Sequence, residues 1–209
     1  MSAAREQPGA RTNEVRIIGG IWRSRRISFA PRGTVRPTPD RVRETLFNWL
    51  GQDLTGLACL DLFAGSGALG FEAASRGAAR VVLVENDREA QASLAANRDA
   101  LGASQVELAK ADAIEFVRGD RGQYDVIFLD PPFAAGYLAR LLPLLPPRLA
   151  SDAWLYYESG ERPDWPPGWD VRKDGRAGQV TYQLVKWNKT ANESYGGIPG
   201  NLRSDHAGA

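Results

Sequence analysis

The chain has 209 residues, 43% of them apolar and 24% charged, with a formal net charge of +1. This length and composition are typical of an ordinary globular protein with one α/β core. No apolar run approaches the ~20 residues of a membrane-spanning helix, and the N-terminus lacks a signal-peptide core, so we expect a cytoplasmic protein. Its one cysteine, Cys59, falls within a predicted strand as a buried thiol, and no ligand spacing indicates a metal site.

Basic residues are concentrated near the N-terminus. Residues 1–45 hold ten arginines and four acidic residues, a net charge of +6, so the remainder carries −5. The short apolar patterns at 15–18 and 26–29 predict a small β-hairpin, which we expect to occupy residues 15–35, to turn near Gly19 and Gly20, and to follow a flexible tail at 1–14.

An arginine-rich surface with an aromatic side chain suits a phosphate backbone and unstacked bases. The alternative is a solvated basic edge that only prevents strand pairing. The candidate nucleic-acid-binding residues are Arg16, Trp22, Arg23, Arg25, Arg26 and Arg41.

Residues 38–40 are typical of a helix start, with Thr38 as the cap and proline in the first turn. Apolar residues then recur at helical spacing through Leu50, which predicts a helix packed on the core.

A short apolar strand at 57–62 leads into the glycine-rich segment 63–70, and an alanine-rich helix follows to about residue 75. Such glycines let a ligand approach the backbone, and the helix N-terminus presents free N–H groups. Gly65, Gly67 and Gly70 also match the dinucleotide fingerprint, so a nicotinamide or flavin enzyme is an alternative. Asp61 argues against it, because a carboxylate there repels a pyrophosphate and suits a ligand with ammonium and sulfonium groups, such as S-adenosylmethionine.

Acidic residues also follow the next two predicted strands, at 80–84 and 106–110. Glu85 is suited to accept hydrogen bonds from two ribose hydroxyls, and Asp112 to accept one from an adenine amine. Ligands of open α/β sheets bind at these carboxyl ends of parallel strands.

The most informative motif is Asp130-Pro131-Pro132-Phe133, which ends the apolar strand 124–129. The amine of a nucleobase is a poor nucleophile, and two acceptors on its N–H bonds, the Asp130 carboxylate and the Pro131 carbonyl, favour its rehybridisation. The prolines fix where these acceptors point, and Phe133 offers a ring for stacking an unstacked base. The alternative is a strand followed by a proline-rich turn.

The C-terminal part predicts a helix at 136–145 that Pro146 and Pro147 stop, a strand at 154–158, and an antiparallel pair at 170–173 and 179–186 joined by residues 175–178. The expected fold is therefore a Rossmann-like α/β domain at 36–187, whose sheet of seven mostly parallel strands has its last strand reversed. Residues 188–209 lack apolar periodicity and are expected to be disordered.

Three segments together, 60–67, 84–87 and 130–133, resemble class I S-adenosylmethionine-dependent methyltransferases that act on exocyclic amines. With 16–20 and 36–50, the chain resembles the RsmD family of bacterial 16S ribosomal RNA guanine-N2 methyltransferases. Departures are Pro39, where the family often has a second threonine, and the tail after Trp187. Alternatives are an N6-adenine methyltransferase, which more often has asparagine at position 130, and a non-catalytic RNA-binding factor.

The resemblance implies an enzyme that uses S-adenosylmethionine, with 16S ribosomal RNA in the small subunit or an assembly intermediate as its partner. The oligomeric state is open, and we expect a cytoplasmic monomer. The implied catalytic residues are Asp130, Pro131, Pro132 and Phe133. The implied cofactor-binding residues are Arg36, Thr38, Asp61, Phe63, Ala64, Gly65, Ser66, Gly67, Glu85, Asn86, Asp112 and Ala113.

Overall fold

The computed structural model describes residues 13–30, 37–132 and 136–188. The strands are β1 (Asn13–Arg16), β2 (Arg26–Phe29), β3 (Ala58–Asp61), β4 (Arg80–Val84), β5 (Val106–Ala109), β6 (Tyr124–Leu129), β7 (Leu149–Ser159), β8 (Trp169–Ala177) and β9 (Val180–Trp187). The helices are α1 (Asp40–Leu50), α2 (Ala68–Ser75), α3 (Arg88–Leu101), α4 (Ala113–Gly119) and α5 (Tyr137–Leu141). The predictions for the terminal tails, Arg36 and Phe133 lie outside the described residues.

Seven strands form one sheet in the order β5-β4-β3-β6-β7-β9-β8. Strands β3 to β7 run parallel, whereas β9 is antiparallel to both neighbours, which confirms the predicted fold class. From β3 the chain moves outward through β4 to β5 and then returns to β6 on the other side of β3. The carboxyl ends of β3 and β6 therefore form the point where strand order reverses, the usual ligand site of such sheets.

The sheet is covered on both faces, because alternate side chains of each strand belong to different apolar clusters. Cys59 and Phe128 lie in the cluster that includes α1 to α3 and the N-terminal hairpin. Leu60 and Leu129 lie in the cluster with α4 and α5 on the opposite face. Burial on both sides explains why these strands are continuously apolar. Among the described residues no helix is long and apolar enough to cross a membrane.

The N-terminal hairpin is fixed to the domain by polar contacts as well as by its apolar side chains. The amide of Ser28 donates to Asn97 Oδ1 at 3.0 Å, and Asn97 Nδ2 returns a bond to the Ser28 carbonyl at 2.8 Å. The predicted antiparallel pair is confirmed, but its first strand is Asn13–Arg16 rather than 15–18, and residues 17–25 connect the two strands. Gly20 has a φ of +72°, and a Cβ there would lie 1.8 Å from the Ser75 carbonyl oxygen, so this close approach requires glycine.

The prediction that Trp22 stacks on nucleic acid is wrong. Its side chain is 7% exposed and packs in the core, while its amide donates to Ser75 Oγ at 2.9 Å. The neighbouring Ile21 is instead 77% exposed. The hairpin loop is anchored on α2 through Trp22, so the indole stabilises the fold and is not presented to a partner.

Several predicted boundaries also need correction. The C-terminal helix ends at Leu141, because Pro143 has no N–H group with which to continue the hydrogen-bond ladder. Strand β7 begins at Leu149 rather than at 154, since Leu149 already pairs with Tyr124. The β8–β9 turn is the two residues 178–179, with Gly178 at φ +62°.

Candidate active site

Three carboxylates converge at the carboxyl ends of β3, β6 and β7: Asp61, Asp130 and Glu158. Two positions before each carboxylate, the chain has a side chain that packs in the apolar cluster on the α1 face. These three side chains are Cys59, Phe128 and Tyr156. Leu129 pairs with Tyr157, so Asp130 and Glu158 are the next neighbours along adjacent strands. The sequence prediction of an acidic strand-end site at Asp61 and Asp130 agrees with this topology.

Glu158 was missed as a site residue, although the signal was present. It ends a predicted strand in the same way as the acidic residues that were selected. The residue is 4% exposed, and its carboxylate accepts hydrogen bonds from Tyr156 Oη at 2.8 Å and Thr38 Oγ1 at 3.2 Å. Thr38 is therefore not the cap of α1, whose first turn follows Pro39 without a side-chain cap.

The three carboxylates have raised proton affinities. Burial raises the pKa of Asp61 to about 7, against the lowering effect of the Phe63 and Gly70 amides, and the charge of Glu85 adds to the rise. Burial, Glu158 and Asp61 raise the pKa of Asp130 well above its usual value. Burial also raises the pKa of Glu158, although its bonds from Tyr156 and Thr38 oppose this. A ligand that brings cations or N–H donors to these carboxylates would favour their ionised forms.

The glycine loop is held by its neighbour strand. The Gly65 amide donates to Glu85 Oε2 at 3.0 Å, and the Asp87 amide donates to Glu85 Oε1 at 2.9 Å. Glu85 is 7% exposed, so one buried carboxylate fixes both the loop after β3 and the turn after β4. Gly67 precedes α2 at φ +80°, where a Cβ would lie 2.6 Å from the Phe71 ring.

The other predicted cofactor residues border this loop. Ala64 is buried, and its amide donates to the Val84 carbonyl at 3.0 Å. Ser66 Oγ accepts a bond from the Ala68 amide at 3.3 Å. Ala113, the first residue of α4, is buried, whereas Asn86 is exposed.

At the next strand end, Asp112 has a structural role that sequence reasoning did not foresee. Its Oδ1 caps α4 by accepting from the Ile114 amide at 2.9 Å, and its Oδ2 accepts from Tyr137 Oη at 3.2 Å. The Tyr137 ring lies against Phe63, with centroids 4.9 Å apart at 72°. Tyr137 therefore joins Phe63 and Asp112 in one cluster beside the glycine loop.

The Asp130-Pro131-Pro132 backbone follows β6 directly, with Pro131 buried and Pro132 exposed. Asp130 keeps partial access to solvent beside the buried Asp61 and Glu158. Its carboxyl group is itself largely buried, which is the main cause of its raised pKa, and it lies at the point of strand reversal where ligands of such sheets bind.

The predicted basic surface is exposed at all five arginines: Arg16, Arg23, Arg25, Arg26 and Arg41. Arg16 pairs with Asp40 at 3.2 Å and Arg26 with Glu14 at 2.9 Å, both in partly exposed positions. Such exposed pairs are weak and can be exchanged for phosphate contacts. Arg43, from the same arginine-rich segment, is instead fully buried.

Within the described residues, no group of three or more His, Cys, Asp or Glu side chains could hold a metal ion.

Comparisons with known proteins agree with this geometry. The family model described as conserved hypothetical protein 95 matches residues 15–186. Ribosomal RNA small subunit methyltransferase D of Escherichia coli K12 is 41% identical over 180 residues, covering 84% of this chain and 91% of that protein. The Haemophilus influenzae protein of the same name is 38% identical over 189 residues, covering 87% and 97%.

Solved structures show the same relationship. The structure of yhhF from Escherichia coli has a TM-score of 0.75 at 42% identity, covering 84% of this chain and 99% of that one. An RNA methyltransferase of Salinibacter ruber, solved with S-adenosyl-L-homocysteine, shares the fold with a TM-score of 0.60 at 22% identity, covering 80% and 99%. The chain belongs to the RsmD family, that of the ribosomal RNA small subunit methyltransferases D.

Proposed function

We propose that this chain transfers a methyl group from S-adenosylmethionine to the exocyclic N2 amine of a guanine in 16S ribosomal RNA. The observation that carries the proposal is the convergence of Asp61, Asp130 and Glu158 at the point where strand order reverses. Family membership supplies the class of reaction, and the carboxylates supply acceptors for a cationic cofactor and an amine substrate.

The residues present fit S-adenosylmethionine. The buried Asp61 favours the ammonium and sulfonium end and disfavours the pyrophosphate of a dinucleotide. Glu85, whose two oxygens accept from the Gly65 and Asp87 amides, is the proposed acceptor for the ribose hydroxyls. The proposed adenine site is bordered by Phe63, Tyr137 and Asp112. When bound, this cofactor supplies a methyl group on a good leaving group.

Asp130 and the Pro131 carbonyl would accept the two N–H bonds of the guanine amine and so direct its lone pair toward the methyl carbon. The transfer would replace the S–C bond of the cofactor by the new N–C bond, with the S–C electron pair left on sulfur. One proton must then leave N2, and Asp130, with its raised pKa, is placed to accept it. Positioning is the main contribution of the protein. Phe133 remains the proposed stacking residue, and Arg36 a proposed cofactor contact.

The exposed arginines of the hairpin and of α1 would position the ribosomal RNA through its phosphates. Because this contact carries no base information, we propose that an assembled or partly assembled small subunit presents the target guanine to the site. Binding through these side chains should weaken steeply as salt is raised.

The experiment that tests this function is methyl transfer from labelled S-adenosylmethionine to small ribosomal subunits lacking the modification, followed by nucleoside analysis. Label in N2-methylguanosine is the expected result. Label in N6-methyladenosine would keep the mechanism but overturn the base. If a sample shown to bind the cofactor leaves subunits unlabelled, the proposed substrate is wrong.

Cofactor binding is expected to depend on pH through Asp61. The raised pKa, about 7, means that this carboxyl is largely protonated and neutral below pH 7 in the free protein. A cationic ligand favours the ionised form, so binding should release a proton near neutral pH. Affinity should fall with decreasing pH, by up to about tenfold per pH unit for one linked proton.

Calorimetric titrations in buffers of different ionisation enthalpy measure this proton release directly. Asp61→Asn should bind the cofactor more weakly and with a flatter pH dependence. Asp99→Asn is the matched control, because Asp99 is exposed and pairs only with Arg98 among the described residues. The same pH dependence in Asp61→Asn as in the wild type would exclude Asp61 as the linked group.

A further inference from the structure

We propose that Glu158 makes the site selective for guanine, by accepting the N1–H of the base while Asp130 and Pro131 accept from the N2 amine. This inference rests on the proposed function and names the residue that would read the base.

Position supports this role. Asp130 and Glu158 follow the paired residues Leu129 and Tyr157, so their carboxylates project from neighbouring positions on adjacent strands. Adjacent parallel strands are ~4.8 Å apart, a spacing that suits two acceptors for two neighbouring donors on one planar base edge. Asp61 lies on the other side of β6, where it would contact the cofactor rather than the base.

The hydrogen bonds that Glu158 accepts orient its side chain. Tyr156 Oη and Thr38 Oγ1 both donate to the same oxygen, Oε2, at 2.8 and 3.2 Å. These donors fix the side chain and oppose the rise in pKa that burial causes. Among the described residues Oε1 has no such partner, which leaves it for a further donor.

The bases differ at the atom that Glu158 would meet. Guanine presents two adjacent donors, N1–H and the N2 amine, whereas adenine presents its amine beside an N1 lone pair. Two adjacent carboxylates complement the guanine edge, but they would face the adenine lone pair with another acceptor. A well-placed pair of this kind discriminates by about 5- to 150-fold.

A purely structural role for Glu158 is the competing explanation. The carboxylate could simply attach the segment before α1 to β7 through Thr38. Removing it would then lower stability and activity together, without changing the preference among bases. The test must therefore measure base preference as a ratio.

The probe is a small ribosomal subunit reconstituted with 2-aminopurine in place of the target guanine. The methylation assay described above identifies which guanine this is. This base keeps the amine at C2 but has an acceptor at N1. For the wild type we expect kcat/KM to be about 5- to 150-fold lower on 2-aminopurine than on guanine. Equal values for the two substrates would overturn the inference without any variant.

Glu158→Gln adds a second test, because its amide can donate to the N1 acceptor of 2-aminopurine. The ratio of guanine to 2-aminopurine kcat/KM should fall by about tenfold. Glu161→Gln, the same change at an exposed position nearby, should leave the ratio unchanged. A folded Glu158→Gln protein with the wild-type ratio would overturn the role of Glu158 alone, whereas absent guanine methylation by the wild type would overturn the proposed function.

Discussion

Asp130→Ala should lower methyl-transfer turnover by on the order of 10²-fold or more, the usual effect of removing one preorganised polar group from an active site. The carboxylate would hold the amine and accept its proton, and neither the Pro131 carbonyl nor solvent replaces both functions. The measurement is kcat with RNA and cofactor at saturation, so that weaker binding does not enter the comparison.

A measurement of stability distinguishes this loss of turnover from unfolding of the variant. Burial and the charges of Glu158 and Asp61 raise the pKa of Asp130, which means that its ionised form is disfavoured in the fold. Removing it should therefore leave the protein at least as stable as the wild type in denaturant unfolding. Asp130→Asn keeps one acceptor but cannot take up a proton. Its turnover should therefore lie between those of the wild type and of Asp130→Ala. Near-wild-type turnover of Asp130→Ala would remove Asp130 from the mechanism.

The sheet and its ligand edge could be predicted because their signals are local. Apolar runs that end in an acidic residue mark buried parallel strands, and β4 has the predicted bounds, while α2 ends where predicted. The shared edge then follows from topology alone, since all carboxyl ends of parallel strands lie together. The positions of Asp61, Glu85, Asp112 and Asp130 at this edge could be predicted in this way.

Side-chain partners distant in sequence could not be predicted. Thr38 has the sequence context of a helix cap, yet its hydroxyl contacts Glu158, which is 120 positions away. Trp22 lies in a basic segment typical of a binding surface, but tertiary packing turns it inward. Local patterns do not determine which of two neighbours, Ile21 or Trp22, faces the core.

Arg43 is the clearest case of a charge that sequence alone misplaces. It lies in the arginine-rich segment and could be counted with the RNA-binding side chains, but it is fully buried. Its guanidinium donates to Glu72 Oε2 at 3.2 Å and to the carbonyls of Thr38 at 3.2 Å and Arg16 at 2.8 Å. A buried arginine with several acceptors holds the fold together.

Glu72→Ala should destabilise the protein by about 3–5 kcal/mol, the cost of breaking a buried ion pair by removing one partner. Glu72 is fully buried and accepts from Arg43 Nη1 at 3.2 Å and Arg76 Nε at 2.8 Å. Its Oε2 also accepts from the Ile18 amide at 2.8 Å. Alanine would leave two buried guanidinium groups without this carboxylate, and one backbone donor without its acceptor.

The free energy of unfolding in urea measures this effect, with an unchanged slope as evidence that only stability has changed. Glu107→Ala is the control, because its pair with Arg80 is partly exposed and should be worth no more than about 1 kcal/mol. Glu72→Gln should give an intermediate loss, since an amide oxygen can still accept but carries no charge. A loss in Glu72→Ala no larger than in Glu107→Ala would show that the buried network does not stabilise the fold.

Glu72→Ala should also loosen the N-terminal hairpin before the rest of the domain. The Ile18 amide bonds directly to Glu72, and Arg43 joins Glu72 to the carbonyls of Arg16 and Thr38. Hydrogen exchange at Ile18 should therefore accelerate more than exchange in β4, which lies within the sheet. Because Thr38 also donates to Glu158, the loss of Glu72 would reach the active site as well as the basic surface. Equal acceleration at Ile18 and throughout β4 would instead mean that the hairpin unfolds only with the whole domain.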